Sequence, residues 1–169
     1  LTEDYAYPLA YYAWVWAARG CTTRRALELG WHKAVARAIA DRTIDAVFVF
    51  LGHDDFSVFL TDLIVSGDVP DSRIDPVIDD LVANLGRILD ELVERGPCTI
   101  HVVTLADWGK TPFVRVMPLR TGVTTRIAAI MGRCNTMIER AARIRGLPVV
   151  ACETPVRHAR RLFACAPDT

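Results

Sequence analysis

The sequence has no excess of charge of either sign: twenty Lys and Arg are balanced by twenty Asp and Glu over 169 residues. Without a net field to draw it to polyanions, no nucleic-acid partner and no attraction to an anionic membrane are expected. It also lacks any uninterrupted apolar run of ~18 residues, so no transmembrane segment is expected. Its five cysteines, Cys21, Cys98, Cys134, Cys152 and Cys165, are odd in number, scattered, and form neither a CxxC pair nor a zinc-ligand spacing. They read as small core residues rather than as a metal or disulfide framework. Internal repeats, low-complexity tracts and charge blocks are likewise missing, as is a signal-peptide pattern within residues 1–169.

What is present is apolar: 51% of the residues are hydrophobic. A chain of this length and content buries one substantial core, so residues 1–169 are expected to form a single domain. The run AWVWAA at 13–18, closed by Arg19 and Gly20, reads as a buried strand ending in a turn. Thr22 and Thr23 can then cap a helix with Leu27, Trp31, Val35 and Ile39 at helical spacing. IDAVFVFLG, residues 44–52, has the β-branched and aromatic content of a parallel strand.

Beyond it, residues 56–72 read as an irregular excursion punctuated by Gly67 and Pro70. Asp75 and Pro76 mark a helix start, followed by the stripe Ile78, Leu81, Leu85, Ile88, Leu89 and Leu92 up to Gly96 and Pro97. CTIHVVTL at 98–105 is a second strand, followed by a long loop, 106–122. The stripe from Val123 to Ala141 is a further helix ended by Gly146, and LPVVACE at 147–153 is a last strand. Strand and helix alternate throughout, which predicts a mostly parallel sheet with right-handed crossovers and helices on both faces.

In such sheets, ligands sit beyond the carboxyl ends of the strands. That places attention on LGHDD, where the apolar strand runs directly into Gly52, His53, Asp54 and Asp55. A histidine beside two aspartates can ligate a metal, perform acid/base work, or cap the following turn through carboxylate to N–H bonds. Three near-adjacent side chains rarely converge on one ion without distant ligands, so no metal and no cofactor are expected.

The order of AARGCTT, then LGHDD, then a helix containing RCNTMIERAARIRG and the strand LPVVACE resembles the SGNH (GDSL) hydrolase family. The resemblance implies a three-layer α/β/α sandwich, flavodoxin-like in style, and a serine-dependent esterase or lipase working through an acyl-enzyme. A small-molecule or lipid ester is then the substrate. Gly20 takes the place of the second-block glycine, whose backbone N–H stabilises the oxyanion; a plain turn glycine is the alternative. LGHDD takes the place of the third block, usually GxND, with Asp54 standing where the family has asparagine. An asparagine amide donates to an oxyanion, whereas an ionised aspartate only accepts, so Asp54 also fits a catalytically impaired binding module. Asp55 matches the terminal aspartate of that block and is expected to hold the turn together.

The resemblance also implies that the GDS nucleophile block lies before residue 1 and that the catalytic histidine lies just beyond Thr169. Asp168 is then the triad aspartate. Ser57, Ser66 and Ser72 do not lie at a strand-to-helix elbow, and His32, His101 and His158 read as surface or core histidines. Trp108 and Phe113 in the long loop are candidate pocket walls.

Overall fold

The computed structural model of the chain describes residues 20–152. Three strands, β1 (Ala46–Val49), β2 (Thr99–Val103) and β3 (Val149–Val150), form a parallel sheet in the order β1-β2-β3. Register is set by Val49 opposite Val102 and by Val102 opposite Val149. The result is an α/β fold with sequential crossovers. The strand read at 13–18 and the triad candidate Asp168 lie outside the described residues, as do His158 and Cys165.

The helices are α1 (Thr23–Glu28), α2 (Trp31–Ala40), α3 (Ser57–Ser66), α4 (Asp71–Val93), α5 (Pro112–Arg115) and α6 (Val123–Ile144). Thr22 caps α1 as its type predicts, its hydroxyl accepting from the Arg25 N–H at 3.1 Å. The single helix expected beyond it is two, because the chain turns at Leu29 and Gly30 before α2 begins. Helix α4 packs one face on the core: Leu81 and Leu89 are completely buried, with Ile78, Leu85 and Leu92 beside them. The α6 stripe of Ile127, Ile130, Cys134 and Ile138 is buried against the same core.

Two expectations are corrected. Residues 56–72 are not an irregular excursion, since α3 occupies Ser57–Ser66 and buries Phe59 and Leu63. The apolar residues of its sequence, SVFLTDLIVS, do not recur at helical spacing along one stripe, so no periodic signal marks it. Helix α4 begins at Asp71, with Pro76 inside it, rather than at Asp75. An interior proline costs about 3 kcal/mol in helix propensity, and tertiary contacts hold the extra turn in place. Ile74 is fully buried there, and Asp71 accepts from Arg126 at 2.7 Å and Arg133 at 3.0 Å. Arg133 also pairs with Asp75, and Arg126 Nε lies 3.3 Å from Asp68, a charge contact without hydrogen-bond geometry.

Side chains alternate across the strands. Val49, Ile100 and Val102 are buried in the helical core, while Phe48 on the other face is 65% exposed and stacks on His101 with ring centroids 4.8 Å apart. Phe50 and Val150 are also exposed. Within residues 20–152, β1 pairs with β2 alone, which leaves its other edge open.

Candidate functional site

Gly52 ends the first strand segment with φ +118°, a conformation that L side chains rarely adopt. A Cβ there would also lie 2.9 Å from Leu81 Cδ1 and 3.2 Å from Leu105 Cδ2. The glycine thus lets the chain turn tightly over the top of the core. His53 follows, and a 3-10 turn over Asp54–Phe56 carries the backbone into α3.

Each polar side chain at this turn has a different environment. Asp55 reaches 32 residues back: its Oδ2 accepts from the Thr23 N–H at 2.9 Å and its Oδ1 from the Thr23 hydroxyl at 2.7 Å. Asn84 Nδ2 donates in turn to that hydroxyl at 3.3 Å. Asp55 therefore satisfies an otherwise unpaired N–H at the start of α1 and ties the two turns together. Burial raises its pKa, against the lowering effect of the Thr23 bonds. His53 Nε2 accepts from the Ala106 N–H at 2.8 Å, which fixes the proton of the neutral ring on Nδ1. Burial holds this histidine below its ordinary pKa, opposed by the charge of Asp54. Its ring lies parallel to Trp108 at 6.2 Å and edge-on to Phe50 at 4.7 Å.

Gly20 lies at the same rim, in a left-handed turn with φ +73° and with no atom of the other described residues within 4 Å of where a Cβ would stand. The Thr23–Asp55 bonds tether its turn to the LGHDD turn, and the charges of Asp54 and Asp55 reach Cys21. The Asp54 backbone carbonyl accepts from the Ser57 hydroxyl at 2.8 Å, while its carboxylate has no hydrogen bond among the described residues.

No nucleophile emerges at this rim among the described residues. The Ser57 hydroxyl is committed to Asp54, and the Ser66 hydroxyl bonds the carbonyl oxygens of Asp62 and Asp68. Cys21 is buried, and desolvation and the two aspartates push its thiol pKa up, the opposite of what a reactive thiolate needs. His101 lies on the far side of the sheet against Phe48, and His32 sits in α2 within reach of the Glu91 charge, toward the other end of α4. No group of three or more metal-ligating side chains converges among the described residues.

The long loop is partly ordered by the 3-10 turn Trp108–Lys110 and by α5. Trp108 packs on Phe56, Phe59, Leu63 and the α6 side chains around an apolar crevice of only about 20 Å³, room for roughly one water. It serves the core rather than walling an open pocket, and the Phe113 side chain lies outside the described part. A residue that sequence reasoning passed over holds the rim from beneath. Asn135 of α6 accepts from the Leu105 N–H at 2.8 Å and donates to the Leu105 carbonyl at 2.9 Å, pinning the chain where it leaves β2. In RCNTMIER it is an uncharged amide directly beside the apolar stripe residue Cys134, which is the signal that could have found it.

No family model matches the chain, and no curated protein matches it.

Proposed function

We infer that the chain is part of an SGNH-type serine hydrolase, a three-layer α/β/α sandwich whose strand-end rim receives the oxyanion of an ester. The observation that carries this reading is the Thr23–Asp55 tether, which joins the Gly20 turn to the LGHDD turn at one end of the sheet. The left-handed Gly20, which no other described residue crowds, suits close approach of a carbonyl oxygen to a backbone N–H. The open edge of β1 suits a further parallel strand, and the exposed Phe48 and Phe50 suit a covering layer.

The implied step is attack by a serine hydroxyl on the ester carbonyl, with a histidine taking the proton and returning it to the leaving alcohol. Water then releases the acid from the acyl-enzyme. Serine and histidine lie outside residues 1–169 in this scheme, Asp168 orients the histidine, and Gly20 N–H is one oxyanion donor.

Asp54 favours a second reading. A carboxylate at the oxyanion position repels the developing charge, and the neighbouring Asp55 and His53 are already bonded internally. The same rim then belongs to a binding module that retains the fold without turnover.

The parent coding sequence, expressed with its natural flanks, separates the two. Turnover of p-nitrophenyl acetate that is abolished by a fluorophosphonate, with covalent labelling of a serine preceding Leu1, is the expected result. A parent protein with no such serine and no labelling leaves the binding module.

A further inference from the structure

Another concavity among the described residues lies away from the strand-end rim. It is a groove of about 400 Å³ between the second halves of α4 and α6, open to solvent along one side. Both halves approach the end of the sheet where β2 and β3 begin, opposite to the Gly20 and LGHDD turns.

The floor is made low by small residues, buried Gly86 on α4 and buried Ala141 on α6, with exposed Ala83 at the groove's edge. Its walls are apolar: Val82, Met137 and Ile144, the last 73% exposed. One end is closed by Arg145, which crosses from α6 to pair with both carboxylate oxygens of Asp90 at 2.6 and 2.7 Å and donates to the Ala141 carbonyl at 2.9 Å. Gly86 makes room for that guanidinium, since a Cβ there would come within 3.0 Å of Arg145 Nη2. The Arg145 charge is thereby neutralised within the groove.

Two other arginines are not. Of the arginines on α4 and α6, Arg73, Arg126, Arg133 and Arg143 each pair with an acidic residue. Arg87 and Arg140 make no ion pair among the described residues, and both line the groove. Unmatched positive charge is therefore concentrated where apolar surface is also left uncovered.

We propose that the α4–α6 groove docks an acidic amphipathic helix of a partner protein, its apolar residues against Val82, Met137 and Ile144 and its carboxylates on Arg87 and Arg140. The stretch from Val82 to Asp90 spans about two helical turns, or roughly 12 Å, enough for anchors at positions i, i+3 or i+4, and i+7. The small floor residues let a third helix approach closely, as interaxial distances of ~8–10 Å require. An enclosed site would suit a small molecule better, because such pockets bury most of the ligand, and this groove does not. The net charge of zero also disfavours polyanions that bind by a broad field.

The full 169-residue chain is titrated into a fluorescein-labelled synthetic peptide of eighteen residues, with leucine on one helical face and glutamate elsewhere. A second peptide carries lysine in place of glutamate. Fluorescence anisotropy is expected to show saturable binding of the glutamate peptide, weakened about tenfold or more by R87E/R140E and by Ala83→Trp, whose ring obstructs the groove. The lysine peptide is expected to prefer the R87E/R140E variant. Arg87 and Arg140 are exposed, so that variant keeps the fold even where A83W does not. Equal affinity of wild type and R87E/R140E for the glutamate peptide overturns the proposal, as does equal binding of both peptides. Sedimentation showing a dimer that R87E/R140E disperses assigns the groove to a second copy of the chain instead. Binding to vesicles of phosphatidylcholine and phosphatidylglycerol but not to the peptide assigns it to a lipid surface; both results overturn the helix.

Discussion

The strand-end rim and the α4–α6 groove are both rich in polar side chains, yet they dispose of them in opposite ways. At the rim, Asp55 is bonded to Thr23, His53 to Ala106, Asn135 to Leu105 and Asp107 to Gly109. Polarity there is largely structural: it ties together turns that would otherwise leave buried backbone groups unsatisfied. In the groove, Arg87 and Arg140 are uncommitted beside exposed apolar side chains. What marks a surface for a partner is therefore not the density of charged residues but whether their bonds are already made. Asp54 is the exception at the rim, with a carboxylate that no described residue engages.

That exception gives the largest expected effect. In the active parent protein, Asp54→Asn should raise p-nitrophenyl acetate turnover about 10²- to 10³-fold, because an amide donor replaces a repelling carboxylate. An unchanged rate removes Asp54 from the oxyanion site. The structural bonds come next. Asn135→Ala strands both the N–H and the carbonyl of buried Leu105 and should cost about 3 kcal/mol in urea unfolding, whereas an exposed-face control such as Thr136→Ala should cost little. Gly52→Ala should cost about 2 kcal/mol, from its positive φ and the contact with Leu81. By contrast, R87E/R140E should change stability by less than about 0.5 kcal/mol, since these arginines have no described ion pair to lose. A large loss there would break the contrast between the two regions.

The smallest effect is one of pH. Burial holds His53 below its ordinary 6.5, so as pH falls the unfolded chain takes up the proton first. The contribution of the His53–Ala106 bond is thus complete above about 6.5 and is lost as pH falls toward the lowered folded value. The protection of the Ala106 amide, relative to its intrinsic exchange rate at each pH, should fall over that window, and His53→Phe should remove that pH dependence. Asp55 acts with the opposite sense. Its folded pKa is raised above the ordinary 3.8, so the folded chain keeps that proton longer, and stability declines as pH rises through the window above 3.8. The two contributions slope in opposite directions with pH, so titrations of unfolding free energy for His53→Phe and Asp55→Asn distinguish them.

The legible parts of the molecule share one property: their signal is local and periodic. The α4 and α6 stripes, the Thr22 cap and the β1 and β2 strands all lie within a few residues of where sequence reading places them. Helix α3 was not legible, because SVFLTDLIVS is apolar on every side and is followed by Gly67 and Pro70, which look like loop residues. The early start of α4 was hidden by Pro76, whose local cost is outweighed by Ile74 burial and by arginines 55 and 62 positions from Asp71. At the candidate site, the turn at Gly52 and its polar residues could be read in advance. Their partners could not, since Thr23, Ala106 and Leu105 are joined to Asp55, His53 and Asn135 across 32, 53 and 30 positions.

By itself, the sequence determined the alternation of strand and helix, the apolar faces that must be buried, and the sharp change from Leu51 to the polar turn after it. These follow from side-chain periodicity and backbone preference, which act over a few residues. Tertiary structure alone decided which polar groups are spent on holding turns and which are left free. Hydrogen bonds and ion pairs form between atoms brought together by the crossovers, and no local pattern encodes the partner.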